Sequence, residues 1–271
     1  MPMKFKAYAP GSVTLFFDIV DNEKPHLRGS RGVGVCVAPG AITEIEPGPR
    51  RVILNGEEIR GKIQRYVATS YGFEGTIKTV TALPISQGFG MSGAIALSTS
   101  LALAAMTGAT YYHAARVAHE AELRAGSGLG DVASEFEGGF TFRRRAGIQP
   151  YGRVDRIFYS GKITLVVLGD KIETRGILKS ESWRIKLGEL GRKAMRRFSA
   201  RPDFERALEV SRNFSFGLGL MNSELKEFLE QYPNAAMALF GNSAIVFGEC
   251  DIPDEYAAYE VTLGSRATVL Y

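Results

Sequence analysis

The chain has 271 residues, 45% apolar and 23% charged; these are ordinary globular proportions and exclude a disordered tail, a collagen-like fibre and a coiled coil. Two cysteines (Cys36, Cys250) and three histidines (His26, His113, His119) with no HExxH spacing exclude a disulfide scaffold and argue against zinc. The formal net charge is +4, but residues 140–201 carry 16 basic and 5 acidic side chains while residues 202–271 carry 4 and 11; no nucleic-acid module accompanies the basic centre, so a solvated helix face around Gly191–Arg197 and a small anionic ligand account for it.

The opening residues, MPMKFKAYAPGS, hold no long apolar stretch and no small-residue cleavage site, so no secretory signal is expected. Lys4–Tyr8 and Val13–Phe17 read as short strands around an Ala9-Pro10-Gly11 turn. Gly32–Val37, Ile42–Ile45 and Val52–Leu54 read as further strands, the last followed by the Asn55-Gly56 turn. A helix is expected over Glu58–Tyr71, ended by Gly72, then a β-branched strand over Gly75–Thr81. The uncharged run Thr79–Ala115 is broken by Pro84, Gly88, Gly90 and Gly93, and its continuous apolar part is shorter than the roughly 20 residues of a membrane span. A soluble, cytoplasmic protein is therefore expected.

After the loop Leu83–Met91, helices are expected over Ser92–Met106, Tyr111–Leu123 and Gly128–Phe136. Strands follow at Gly139–Arg145 and Ile163–Leu168. Three more helices fall at Leu187–Phe198, Phe204–Gly217 and Ser223–Gln231. Ala236–Phe240 and Ala244–Glu249 read as a strand pair or a strand and a turn, and Val261–Leu270 closes the chain. Strands lead the first half and helices mix with strands throughout, so the fold class is α+β rather than a regular βαβ wind. At roughly 150 residues per domain the length allows two units. The boundary falls near Pro150–Ser160, giving 1–155 and 156–271. No internal repeat or low-complexity segment is present.

The most informative stretch is Pro84–Ala94 (PISQGFGMSGA), with a long helix after it. Gly88, Gly90 and Gly93 satisfy G-x-G-x-x-G, but a dinucleotide site also needs an acid about 20 residues on, where this chain has His113. A Walker A loop fails too, because no Lys-Ser or Lys-Thr follows Gly93. What survives is physical. Glycines let backbone approach phosphates, and a helix N-terminus offers free N–H groups and the positive end of the dipole. Ser92 stands there, able to cap the helix or to present a hydroxyl to a metal or phosphate. The plainer reading is a glycine-rich turn with a serine cap.

Downstream, His119-Glu120-Ala121-Glu122 runs into Gly126–Asp131 (GSGLGD) and then Gly138-Gly139. Phosphoryl transfer to a hydroxyl needs a carboxylate near the acceptor, a carboxylate for Mg²⁺ and donors around the phosphates. Glu122, near a helix end, and Asp131, after the glycine turn, are candidates for the two carboxylates. The plainer readings are a solvated helix carboxylate paired with Arg116 or Arg124, and a helix N-cap.

These segments resemble the GHMP kinases, whose phosphate loop runs roughly P-x-x-x-G-L-G-S-S-A/G. Phe89 and Met91 stand where the family has Leu and the first Ser, and Ser92 keeps the second. The family's opening A-P-G-K-x-x-L is met by Ala9–Leu15 with Ser12 in place of Lys, and its Gly-Glu-His is missing. Leu239–Gly248 (LFGNSAIVFG) is a degenerate form of its C-terminal glycine motif, otherwise a β-turn. Ser12–Phe17, Leu27–Val35 (LRGSRGVGV) and GSGLGD are most similar to the archaeal-type pantoate kinase branch. The resemblance implies two lobes, a ribosomal S5 domain 2-like N-terminal one and a ferredoxin-like C-terminal one. It implies ATP bound by Pro84, Gly88, Phe89, Gly90, Met91, Ser92 and Gly93, and Mg²⁺ held by Ser92 and Glu122, with Glu120 as the alternative acid. It gives Asp131 the base position and pantoate as acceptor, in coenzyme A biosynthesis, in an enzyme that is a homodimer at family level.

A small carboxylate acceptor calls for a fixed cation, ideally a forked arginine. Arg31 and Arg143 are the candidates, with Ser30 and His119 as contacts to hydroxyl or carboxylate. Arg144 faces the other way from Arg143 if that segment is a strand, and His119 shares a helix face with Glu122. The rivals are a kinase for shikimate, homoserine or mevalonate, a GHMP-fold synthase that transfers no phosphate, and a non-catalytic anion-binding protein.

Overall fold

The computed structural model describes residues 4–172, 176–177 and 180–270. The chain opens with two long strands, β1 (Phe5–Val20) and β2 (Gly29–Pro47), paired antiparallel from Phe5 opposite Ile45 to Val20 opposite Gly29. Each replaces two expected strands. Ala9-Pro10-Gly11 is therefore a bulge in β1 and not a turn: the register shifts between Ala9 and Gly11, and again between Thr14 and Phe16. Pro10 has no N–H to give, and the ladder slips past it rather than ending.

The expected helix over Glu58–Tyr71 also needs correction. Asn55 and Gly56 both have positive φ (52° and 89°) and close a hairpin between β3 (Arg51–Leu54) and β4 (Glu57–Glu58), which takes the first residues of that helix. Helix α1 is left with Lys62–Ser70. β5 (Gly75–Thr81) pairs antiparallel with β2 and parallel with β3. Helices α2 (Met91–Thr107), α3 (Tyr111–Ala125) and α4 (Asp131–Glu137) follow, then β6 (Phe140–Arg145). These lie where the sequence placed them, with α4 starting later.

An unforeseen edge strand, β7 (Arg153–Ile157), pairs with β6. β8 (Ile163–Lys171) leads to α5 (Glu181–Ser199), which starts well before the expected Leu187, and then to α6 (Phe204–Leu218) and α7 (Ser223–Gln231). β9 (Ala235–Met237) and β10 (Gly241–Phe247) form an antiparallel pair, the first of the two expected alternatives. The closing segment splits: β11 (Ala257–Leu263) joins β8 and β2, whereas β12 (Thr268–Leu270) joins β1.

Helices and a largely antiparallel sheet make the fold α+β. β2 is the hub of the sheet, hydrogen-bonded along its length to β1, β5, β6 and β11. Helix α2 packs on β1, β2, α3 and α4. Its residues from Gly93 to Ala104 are all buried, and most are Ala, Ser, Thr or Leu. A helix enclosed on every side has no place for charge, which accounts for the uncharged run. Among the described residues no helix is long and apolar enough to cross a membrane. Helix α5 lays Leu187, Ala194, Met195 and Phe198 inward, Phe198 meeting Phe16 and Phe142 at 5.5 and 4.8 Å between ring centroids. Arg192, Lys193, Arg196 and Arg197 point to solvent, so the densest basic run is a solvated helix face.

Candidate functional site

The largest concentration of buried charge lies at the N-terminal end of α2. The glycine loop enters it with Gly88 and Gly90 in the left-handed region (φ 77° and 69°), and Gly90 is the N-cap of α2. A Cβ on Gly88 would lie 2.7 Å from the Ala238 carbonyl oxygen, and one on Gly90 would lie 2.6 Å from Ser12 N and O. Both positions thus require glycine for φ and for close approach together. The loop is held from two sides: Ser12 N donates to Phe89 O (2.9 Å), and the Ala238–Leu239 turn presses on Gly88. Phe89 and Met91 send their side chains into the core, 1% and 2% exposed, so they supply backbone to the site. The first intrahelical bond is Ala94 N to Gly90 O. The N–H groups of Met91, Ser92 and Gly93 have no intrahelical partner.

Ser92 is not the cap. It is the second residue of α2, and its hydroxyl donates to Glu122 Oε1, which also accepts from Ser127 Oγ at 2.8 Å. Glu122 is buried near the end of α3, just behind the cavity wall formed by Ser92 and Ser127, whereas Glu120 is only partly buried and has no bond to either serine. Asp131 opens α4 behind Gly130, and its Oδ1 accepts from Thr14 Oγ1 on β1 (3.1 Å) instead of capping the helix. Glu122 and Asp131 flank one glycine. A Cβ on Gly128 would lie 2.2 Å from Glu122 Oε2 and 3.0 Å from Asp131 Oδ2.

Arg143 is the cation of the group. β6 turns it inward, 2% exposed, and turns Arg144 outward onto Asp155. Its Nη1 donates to Ser134 Oγ (2.7 Å), and its Nε has no hydrogen-bond partner among the described residues. Ser30 Oγ and Arg143 Nε converge on Gly130, where a Cβ would meet them at 2.4 and 2.7 Å. A cavity of about 250 Å³ joins these groups; Ser12, Thr14, Ser30, Ser92, Asp131 and Arg143 line it beside the glycine loop, Ser127–Gly130 and the Leu239-Phe240 turn.

Two expected ligand contacts lie elsewhere. Arg31 is the strand neighbour of Ser30, so the pleat turns it to the other face, where it pairs with Asp18. His119 does share the buried face of Glu122, but its Nε2 sits 2.9 Å from Arg28 O, holding the bend before β2 outside the cavity.

Electrostatics follow from burial. Desolvation first, then the charge of Asp131, pushes the Glu122 carboxyl up to about 7, against its two serine bonds. Burial also raises Asp131, opposed by Arg143 and by the Thr14 bond. Sequence reasoning passed over Glu135, one helical turn beyond Asp131. Both its oxygens are buried without a partner among the described residues, and desolvation, followed by Asp131 and Glu122, raises it well above the usual carboxylate range. It also passed over Thr14 and Ser127. Three acids stand around one arginine, and burial moves Glu122 and Glu135 toward their protonated forms. Ser92, Glu122 and Asp131 present only oxygen donors, which suits a hard cation such as Mg²⁺. Among the described residues no group of three or more His, Cys, Asp or Glu is arranged to hold a metal alone. Mg²⁺ commonly uses one or two carboxylates and takes its remaining ligands from phosphate and water.

Known proteins resemble this chain over most of its length. The GHMP kinases N terminal domain family matches residues 58–139, which contain the glycine loop, Glu122 and Asp131. Over 244 residues the chain is 34% identical to a pantoate kinase of Thermococcus kodakarensis, covering 84% of this chain and 81% of that one. It is 26% identical to the pantoate kinase of Methanocaldococcus jannaschii, covering 87% and 90%. A solved structure described as a phosphotransferase related to the CoA biosynthesis pathway superposes with a TM-score of 0.85 at 28% identity over 98% of both chains. Mevalonate-3-kinase from Thermoplasma acidophilum shares the fold, with a TM-score of 0.67 at 13% identity over 100% and 99% of the two chains.

Proposed function

The chain belongs to the pantoate kinases of the GHMP kinase superfamily, and we propose that it transfers the γ-phosphoryl group of ATP to the 4-hydroxyl of D-pantoate, giving 4-phosphopantoate for coenzyme A biosynthesis in the cytoplasm. The observation that carries this reading is one cavity in which a half-buried carboxylate, Asp131, and a buried guanidinium, Arg143, stand beside a glycine loop at a helix N-terminus.

Transfer passes through a loose transition state, so positioning and electrostatics do most of the work. Free N–H groups at the start of α2 and the backbone of Gly88–Gly90 bind the phosphates. Ser92 and Glu122 would hold Mg²⁺, which when bound neutralises charge on the phosphate oxygens. Asp131, fixed by Thr14, orients the acceptor hydroxyl and takes its proton. Arg143 binds the pantoate carboxylate through its free Nε edge, and Ser30 adds a hydroxyl. His119 acts through the Arg28–Ser30 bend, which it holds in place behind Ser30. Arg31 is left in an ion pair with the buried Asp18.

The test is ADP release with Mg-ATP and D-pantoate, shikimate, homoserine or mevalonate in turn. Turnover with pantoate alone is expected. Turnover with another acceptor and not pantoate would overturn the substrate. No turnover with any of the four would overturn the kinase.

A further inference from the structure

Phe240 occupies a backbone conformation that bulky residues avoid. It stands in the turn between β9 and β10 at φ 65°. The left-handed region disfavours any side chain with a Cβ and suits glycine. What the turn gains is the place of a ring. Phe240 lines the cavity and meets Phe17 edge-on, with centroids 5.7 Å apart and planes at 61°. Phe17 lines it too and is backed by Phe214 at 6.1 Å, so its ring is held from behind.

The sheet register places Phe17 at the acceptor end, and Phe240 reaches that end from the turn beside the glycine loop through its ring contact with Phe17. Phe17 lies opposite Gly32, and Gly32 lies opposite Arg143 on its other side. Thr14, which binds Asp131, is on the same strand as Phe17. The acceptor end therefore has a polar side made of Asp131, Arg143 and Ser30, and an apolar side made of two aromatic rings. In pantoate a quaternary carbon bearing two methyl groups separates the reactive CH₂OH from the carbon that carries the second hydroxyl and the carboxylate. A molecule held by Asp131 at one end and Arg143 at the other turns those methyls to the side.

We propose that Phe17 and Phe240 form an apolar wall that reads the methyl-bearing carbon of the acceptor and so selects a branched hydroxy acid over an unbranched one of equal charge. The proposal rests on the pantoate reading above. One methylene in an apolar pocket is worth roughly 10–200-fold in kcat/KM. An acceptor lacking both methyls, such as 2,4-dihydroxybutyrate, should be disfavoured by at least about tenfold on the same grounds.

The experiment compares kcat/KM for D-pantoate and 2,4-dihydroxybutyrate in the wild type and in Phe240→Gly. Glycine suits the left-handed turn and removes only the ring. Asparagine also tolerates this backbone, so Phe240→Asn reads the same ratio independently. Both variants are expected to lose at least about tenfold of the preference for pantoate. The loss should appear in the KM for pantoate, with the KM for ATP and the rate on the unbranched acid nearly unchanged. Equal losses on both acceptors, or a change confined to the KM for ATP, would overturn the wall while leaving the pantoate reading in place. A wild-type enzyme that phosphorylates neither acid would overturn that reading and the wall together.

Discussion

Asp131, Glu122 and Glu135 are three carboxyls in one buried cluster, and their surroundings separate them. Asp131 has a cation and a hydroxyl donor, Glu122 has two serines, and Glu135 has no hydrogen-bond partner among the described residues. This ordering fits a base, a metal ligand and a neutral acid. Asp131→Asn keeps the shape and removes the proton acceptor. General base catalysis is typically worth 10²–10⁴-fold, so kcat should fall by at least about 100-fold while the KM for ATP hardly moves. Steady-state kinetics check this, and an active Asp131→Asn enzyme would remove the role. The raised Glu122 gives a pH prediction with a definite sign. Its carboxyl is raised by burial to about 7, and only the ionised form ligates a cation. Acidification below pH 7 therefore weakens Mg²⁺ binding, approaching about tenfold per pH unit. At limiting Mg²⁺ the rate should fall from pH 8 to pH 6, and raising Mg²⁺ should restore it. A fall at pH 6 that saturating Mg²⁺ does not reverse would place the titration elsewhere.

The glycine loop was legible in the sequence because its backbone path demands glycine, and glycine is a residue type that can be read directly. Gly88 shows why. Gly88→Ala would set a Cβ against the carbonyls of Ala238 and Leu239 (2.7 and 2.9 Å) at φ 77°. Gly72→Ala, at φ 61° with nothing within 4 Å, meets the same dihedral penalty in open space. Each should lose about 1–2 kcal/mol of stability from the left-handed backbone, readable by urea denaturation. Only Gly88→Ala should also raise the KM for ATP, by about tenfold or more, since small misplacements of a binding element are costly. Equal kinetics in the two variants would detach the loop from the nucleotide. Other elements were hidden for physical reasons. β7 is an edge strand whose two apolar residues, Val154 and Ile157, fall on opposite faces, so it lacks an apolar face to detect. Thr14 and Ser127 are single hydroxyls in a strand and a turn; Thr14 gains its role only where the fold brings it to a carboxylate 117 positions away. Arg31 was hidden because the expected strand began at Gly32; only the observed start at Gly29 makes Arg31 the strand neighbour of Ser30 and turns it to the other face.

At the scale of the whole molecule, the site exists only where the two halves of the chain meet. Thr14, Phe17 and Arg143 come from the first half, and Leu239 and Phe240 from the second. β1 and β2 carry the join. Leu239 N donates to Thr14 O and Ser211 Oγ to Leu15 O, while Thr262 and Leu263 pair with Ala38 and Val37. Helix α5 lies so close to β1 that a Cβ on Gly191 would stand 2.3 Å from Phe17 O. We propose that the chain forms two lobes of a single folding unit, divided just after β7 because the expected boundary between 1–155 and 156–271 falls inside that strand. Calorimetry of the full chain should then give one transition with equal calorimetric and van't Hoff enthalpies. Gly191→Val forces α5 away from β1 and should lower that single transition, by about 2–4 °C for each kcal/mol lost. It should not split it, because α5 also packs on α6 and through Phe198 on Phe142. Activity should disappear at the same temperature as the far-UV signal. A second, later transition in Gly191→Val, with one half still folded, would show that the lobes stand independently and that the cavity between them is only docked.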